Sequence, residues 1–282
     1  MPELPEVETV ARQLRKVLLE RKIAKVEVFK AKSFAGNVEE ITGSSVKEIR
    51  RRSKIIQILL SNNLSLLIHL KMSGQLIFDD GKRRVGGGHP TADWVQALPS
   101  KHTRVMLTFS DGSHLYFNDQ RIFGWIRVAN DEILEENFKD LAPDVIDSEV
   151  TTEYLYQKSQ KRKMPIKQFI MDNTIVAGVG NIYACDALNL AKIAPTRPAN
   201  ELGKSEVGKL LKAMRTVVEL GIEMGGATAH GEYVNVEGLA GKYQNVMRVY
   251  GKKGEACPNC GSEIQKIKLG GRGTFFCSNC QK

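Results

Sequence analysis

The sequence predicts an α+β protein. It reads as an N-terminal β-sandwich with a helix laid beside it, a helical region behind it, and a small cysteine-rich ribbon at the C-terminus. Three observations carry this. Between about residues 23 and 118, apolar residues alternate with a period of two in short runs separated by turn residues. From residue 131 onward the spacing becomes helical. Finally, Cys257-Pro258-Asn259-Cys260 and Cys277-Ser278-Asn279-Cys280 form a C-x2-C-x16-C-x2-C pattern. Strands followed by helices are the order expected of an α+β arrangement. A chain of 282 residues allows about two domains. The expected divisions are a β domain over 1–130, a linker over 131–150, a helical domain over 151–245 and the ribbon over 246–282.

The elements follow in order. Pro5 suits the first turn of a helix, and Glu6 and Glu8 favour its positive end. Val7, Val10, Ala11, Leu14, Val17 and Leu18 then recur at helical spacing, predicting a helix from about residue 5 to 20 with one apolar stripe. Strands are predicted at 23–30, Val46–Leu60 and Leu64–Lys71, the last two joined by Ser61-Asn62-Asn63. Further strands are expected at 74–79, 104–109 and 114–118, with turns at Asp79-Asp80-Gly81 and Asp111-Gly112. Helices are predicted at about 131–138, 151–159, 166–172, 181–189 and 204–223, with Leu141-Ala142-Pro143-Asp144 as linker. Gly225 to Tyr243 is too rich in glycine and small polar residues for helix or strand. Cys185, apart from the two cysteine pairs, is expected to be a buried helix residue.

The charge narrows the partner. Lys and Arg number 41 against 32 Asp and Glu, a net +9. A polyanion is the expected partner, and nucleic acid is the commonest for a soluble chain, although a generically basic protein has the same balance. No apolar run reaches the roughly 18 residues of a membrane span and no leader precedes the fold, so a soluble, cytoplasmic protein is expected.

Two stretches carry chemistry. If Met1 is removed, as a small second residue permits, the chain begins with the secondary amine of Pro2 followed by the carboxyl of Glu3. An α-amino group titrates near pH 8, leaving roughly a tenth neutral at pH 7. Such an amine attacks an electrophilic carbon and ends as an iminium, an electron sink, while Glu3 is placed to act as general acid. An ordinary N-terminal helix with an acidic start is the alternative. At the other end, the cysteine spacing matches a structural four-thiolate zinc site, with Cys257, Cys260, Cys277 and Cys280 as ligands. Disulfides or a redox site are the alternatives.

With both ends in view, the run Pro2-Glu3-Leu4-Pro5-Glu6-Val7-Glu8-Thr9 and the C-terminal ribbon resemble bacterial formamidopyrimidine-DNA glycosylases over essentially the whole chain. That resemblance implies excision of oxidised purines, chiefly 8-oxoguanine and formamidopyrimidines, from damaged duplex DNA, followed by cleavage of the abasic strand. It implies Pro2 as nucleophile, Glu3 as acid, Glu6 as an orienting group and Lys54 as an aid to elimination. Lys54 ends the run Arg50-Arg51-Arg52-Ser53-Lys54, which by itself reads as a phosphate contact. Met72 matches a residue that enters the gap left by the extruded nucleotide, although a methionine more often fills a core. Asp119-Gln120-Arg121-Ile122-Phe123-Gly124 matches the motif that sets Arg121 on the orphaned base and Phe123 as a wedge beside it, with Ile122 where many relatives are basic. His102 and Arg162 match DNA-contacting positions, and Lys167 is a further candidate phosphate contact.

Asp172 to Tyr183, with Gly178-Val179-Gly180-Asn181, matches the helix-two-turns-helix signature, implying a phosphate clamp that uses Asn181. Gly225 to Tyr243 matches a segment that closes over the flipped base, and Arg272, at the tip of a predicted hairpin, an arginine on the lesion phosphate. One structural zinc per chain, a monomer and nucleoid association through DNA are expected. The sister endonuclease for oxidised pyrimidines is disfavoured by Leu4, Met72, Arg121 and Phe123. A noncatalytic DNA-binding zinc-ribbon protein is disfavoured by Pro2 and Glu3, which binding alone does not require.

Overall fold

The computed structural model describes residues 2–89, 93, 96–227 and 241–282. Met1 and most of the segment expected to close over a base, residues 228–240, lie outside the described residues. The chain forms two compact units, residues 1–139 with 224–242 and residues 140–223 with 243–282.

The first unit opens with α1 (Leu4–Leu18), whose apolar stripe is buried from Val7 to Leu18. The strands β1 (Ile23–Val28), β2 (Phe34–Ala35), β3 (Val46–Arg52), β4 (Ile55–Leu60), β5 (Ser65–His69), β6 (Gly74–Asp79), β7 (Arg84–Gly88), β8 (Thr103–Phe109), β9 (His114–Asp119) and β10 (Trp125–Ala129) follow, with a one-turn helix α2 (Val38–Ile41) after β2. They make two five-stranded sheets, in the orders β1-β8-β9-β6-β7 and β2-β10-β5-β4-β3. All pairings are antiparallel except that of β2 with β10. One shared core joins Ile56, Ile58, Leu66 and Ile68 of one sheet to Leu76, Phe78, Leu107 and Phe117 of the other, and α1 adds Val10 and Leu14. Each such side chain contributes about 1.5–3 kcal/mol on burial. Helix α1 lies against β3 and β7. Helix α3 (Asp131–Phe138), capped by the Asn130 side chain, packs on β10.

The structure corrects the expected strand over Val46–Leu60. It is a hairpin, β3 and β4, with Arg52 paired to Ile55 across a two-residue turn of Ser53 and Lys54. Ser53 adopts the left-handed conformation at φ 53°, a place where glycine or asparagine would have announced the turn. Strand β7 was also not expected, because its glycines lower strand propensity. They are needed there, since a Cβ on Gly86 would fall on the Leu76 carbonyl and one on Gly88 on the Gly74 carbonyl.

The second unit contains α4 (Thr152–Ser159), α5 (Ile166–Ile170), α6 (Asn181–Ala191), α7 (Lys204–Glu223) and the hairpin of β11 (Gln265–Leu269) and β12 (Arg272–Phe276). Helix α6 packs on α7 and on β12. Cys185 of α6 is buried in a small core with Val249, Ile264 and Phe275. Next to it, the buried Asp186 carboxylate accepts hydrogen bonds from the Tyr243 hydroxyl and the amides of Arg248, Val249 and Tyr250. These bonds fix the chain where it enters the ribbon. Among the described residues, no helix is long and apolar enough to cross a membrane.

Candidate active site and nucleic-acid interface

Pro2 and Glu3 are buried at the start of α1. Glu6 holds them there: its Oε2 accepts the Glu3 amide at 2.7 Å, the reciprocal bond of a capping box. Its Oε1 accepts the Ala227 amide, also at 2.7 Å. Gly226, at φ 92°, passes so close that an added Cβ would lie 2.8 Å from Glu6 Cγ. One buried carboxylate therefore ties the N-terminus to the first residues of the segment expected to close over a base. The positive end of α1 favours anionic groups at this point.

Lys54 is buried in the β3–β4 turn. The nearby His69 ends β5, and burial, aided by the charges of Lys71 and Lys54, brings its pKa down to about 3. His69 is therefore neutral, and its Nδ1 accepts the Lys71 amide at 3.0 Å, which leaves the hydrogen on Nε2. Sequence reasoning passed over His69. Its signal is a histidine at a strand end just before the Met72 turn, where Lys71 is left-handed at φ 50°.

A second residue without an assigned role builds the neighbouring loop. Asp119, fully buried, accepts the Arg121 amide at 3.1 Å on Oδ1 and the amides of Phe123 and Gly124 at 2.8 and 2.6 Å on Oδ2. The Ser73 hydroxyl also donates to Oδ1 and accepts the Arg121 amide at 3.0 Å. The loop is thereby folded around one carboxylate, with Ile122 left-handed at φ 57°, and its side chains are turned outward. Phe123 is 54% exposed and Met72, beside Ser73, 40%; Arg121 is exposed as well. Burying either apolar side chain on a partner would be favourable. The half-buried His102 places Nδ1 3.0 Å from the buried Asp93 carboxylate.

In the second unit, the Asp172 carboxylate accepts the Thr174 amide at 2.9 Å, Gly178 is left-handed at φ 93°, and Gly180 starts α6. Asn181 bonds inward: its Nδ2 donates to the Gly273 carbonyl at 3.0 Å and its Oδ1 accepts from Lys167 Nζ at 2.5 Å. Lys167 corrects the expectation of a phosphate contact. It is 1% exposed, and its ammonium also donates to Thr274 Oγ1 at 2.7 Å. It acts as a brace between α5, α6 and the hairpin. Arg272 follows the left-handed Gly270 and Gly271 at the hairpin tip and is exposed, as is Arg162.

The four cysteines come together as the spacing requires, with all four Sγ atoms within 4.8 Å of one another. The pairs Cys260–Cys277 and Cys257–Cys280 stand 3.5 and 3.7 Å apart. Sulfurs around a tetrahedral zinc with bonds of about 2.3 Å are separated by about 3.8 Å, so the set fits one ion. The chemistry of the set agrees. Hydrogen bonds from Asn279 and Ser262 draw the Cys260 thiol down to about 6, whereas burial and the Cys257 sulfur push Cys280 up to about 12. A dication would relieve that crowding by taking all four as thiolates.

Comparison with known proteins covers the whole chain. Residues 1–126 match the formamidopyrimidine-DNA glycosylase N-terminal domain, residues 141–232 the formamidopyrimidine-DNA glycosylase H2TH domain, and residues 254–282 the zinc finger found in FPG and IleRS. The chain is 37% identical over 286 residues to a formamidopyrimidine-DNA glycosylase of Rickettsia africae, covering 100% of this chain and 99% of the relative. It is 36% identical to that of Pelotomaculum thermopropionicum, again over 100% and 99%. Among solved structures it is similar to Lactococcus lactis Fpg in complex with abasic-site-containing DNA, at a TM-score of 0.86 and 32% identity over 100% of both chains. It is equally similar to MutM (FPG) of Thermus thermophilus, at 0.86 and 32% over 99% and 98%.

Proposed function

The chain belongs to the formamidopyrimidine-DNA glycosylase family and is a DNA repair glycosylase with one structural metal site; from that premise we propose which residues carry out the reaction and in what order. The substrate is an oxidised purine, 8-oxoguanine or a formamidopyrimidine, in duplex DNA. The lesion nucleotide leaves the stack, and Met72, Arg121 and Phe123 occupy the space it vacates, Arg121 hydrogen-bonding the orphaned base. His102, Arg162 and Arg272 take backbone phosphates, and Asn181, whose amide is bonded inward to Gly273, adds the second N–H of that amide.

The neutral Pro2 nitrogen, freed by removal of Met1, attacks C1′ of the deoxyribose. The bond from C1′ to the base breaks, and the base departs with the proton that the Pro2 nitrogen gives up. Glu3 protonates the ring oxygen, the sugar opens, and the nitrogen lone pair makes an iminium with C1′. That cation acidifies C2′. Loss of a C2′ proton expels the 3′-phosphate, and a second elimination expels the 5′-phosphate, with Lys54 assisting and Arg272 holding the phosphate. The observation that supports this reading most directly is the Glu6 carboxylate on the Glu3 amide, which orients the Pro2-Glu3 pair at the buried start of α1. Zinc supplies no step; it holds the hairpin that carries Arg272. The reading extends to a monomer acting in the cytoplasm on the nucleoid.

Borohydride trapping on a duplex carrying 8-oxoguanine opposite cytosine tests it. The mature protein should form a covalent adduct that is lost when Met1 is retained and weakened in Pro2→Gly. Neither adduct nor strand cleavage from folded, zinc-loaded protein would overturn the assignment.

A further inference from the structure

Among the described residues, Arg51 has a place in the fold that its basic neighbours do not share. Arg50 lies at the surface, paired with Glu48, and Arg52 stacks over Phe138 at 5.1 Å. The Arg51 side chain is only 6% exposed. Its Nε donates to Glu8 Oε2 at 2.7 Å, and its terminal nitrogen donates to the Ser53 carbonyl at 3.0 Å. Glu8 sits on α1 and is held in turn by Arg12 at 2.8 Å and Arg15 at 3.4 Å. Arg15 also donates to the Ile49 carbonyl of β3 at 2.6 Å. A rigid guanidinium thus joins the helix that begins with Pro2 and Glu3 to the turn that carries Lys54.

That turn needs such support. Ser53 is left-handed at φ 53°, a conformation that is unfavourable for a residue with a Cβ and held only where its surroundings over-determine it. The Ser53 carbonyl begins the peptide to Lys54, so a bond on that oxygen sets the plane from which the Lys54 side chain departs. We propose that Arg51, anchored by Glu8, is a positioning residue that fixes the Ser53-Lys54 turn and so delivers the Lys54 ammonium to the lesion sugar in register with the Pro2 amine. This rests on the assignment of Lys54 to the elimination steps.

The pair is suited to the task. Burial raises the Glu8 carboxyl, but the hydrogen bonds of Arg51 and Arg12 and the charge of Arg15 outweigh it, and the group lies below the usual carboxylate range. The anchor therefore stays charged throughout the neutral range. Lysine cannot replace the arginine, because one ammonium on a flexible stem does not span two acceptors in a fixed plane.

The test uses full-length, zinc-loaded, mature protein. Single-turnover strand cleavage is measured on a duplex with a preformed abasic site, and binding on a duplex with a tetrahydrofuran analogue. Arg51→Lys should slow cleavage about 10- to 100-fold while affinity for the analogue stays unchanged. Ser53→Gly, which adopts the left-handed conformation without help, should restore most of the lost rate in the Arg51→Lys background. In a Lys54→Ala background, Arg51→Lys should add nothing. Wild-type cleavage by Arg51→Lys, failure of Ser53→Gly to restore it, or a full multiplicative loss on top of Lys54→Ala would each overturn the inference. A Lys54→Ala protein that cleaves at the wild-type rate would instead remove the Lys54 assignment on which the inference stands.

Discussion

At the scale of single residues, the buried Asp119 and the half-buried His69 organise the surface expected to meet DNA. Asp119 accepts the amides of Arg121, Phe123 and Gly124. Asp119→Asn keeps the volume but turns an amide donor toward N–H groups that need an acceptor. It should cost about 2–3 kcal/mol of stability and weaken binding to lesion DNA, read by thermal melting and a binding titration. A variant with unchanged affinity would show that the loop does not depend on this carboxylate. His69 makes the second case. Its folded pKa of about 3 lies below the ordinary 6.5, so the protonated form is disfavoured by folding. The stability tied to its neutral form is therefore complete above pH 6.5 and is lost as pH falls from there toward 3. His69→Asn retains an acceptor for the Lys71 amide but does not titrate. Its melting temperature should fall less than that of the wild type between pH 7 and pH 4.5, and parallel curves would dismiss the histidine as the source.

At the scale of elements, legibility followed the length and regularity of the pattern. Helices α1, α6 and α7 and the ribbon cysteines could be read from spacing alone, because a 3.6-residue stripe and a four-thiolate set leave few alternatives. The hairpin of β3 and β4 could not, since an arginine-rich run passes through a left-handed serine with no glycine or proline to mark it. The same blind spot made Lys54 look like a residue entering a strand. Lys167 shows the converse: a lysine in a basic segment reads as a surface cation, and only the packing of α5, α6 and β12 reveals a buried brace. Lys167→Met keeps the stem and removes the charge, leaving Asn181 Oδ1 and Thr274 Oγ1 without their donor. About 1–3 kcal/mol of stability should be lost, and with it the fixed placement of Arg272. Removal of zinc by a chelator should go further, since four crowded thiols cannot remain packed without a dication. Circular dichroism and DNA binding should then separate, with much of the sheet signal of the first unit retained while affinity falls. A chelated protein that binds as before would show the ribbon to be dispensable.

At the scale of the whole molecule, the +9 net charge and the placement of exposed cations make different predictions about binding. Net charge alone attracts any polyanion and fades as salt screens it, whereas each phosphate held at a defined position releases counterions and contributes about 0.9 to the slope of log affinity against log salt. Arg162 and Arg272 are exposed, and both lie in the unit that carries the α5–α6 turn and the zinc hairpin. Arg162→Ala should therefore lower affinity for lesion and undamaged duplex alike and reduce the slope by about one phosphate. Arg121→Ala should behave differently. Its partner is a base edge, so it should leave the slope nearly unchanged and instead relax the preference for the base opposite the lesion, a discrimination of about 1–3 kcal/mol for a well-made contact. Binding titrations at several salt concentrations, with each base opposite the lesion, separate the two outcomes. If Arg121→Ala flattens the salt slope and leaves opposite-base preference intact, the loop built on Asp119 is a phosphate grip rather than a reader of the orphaned base.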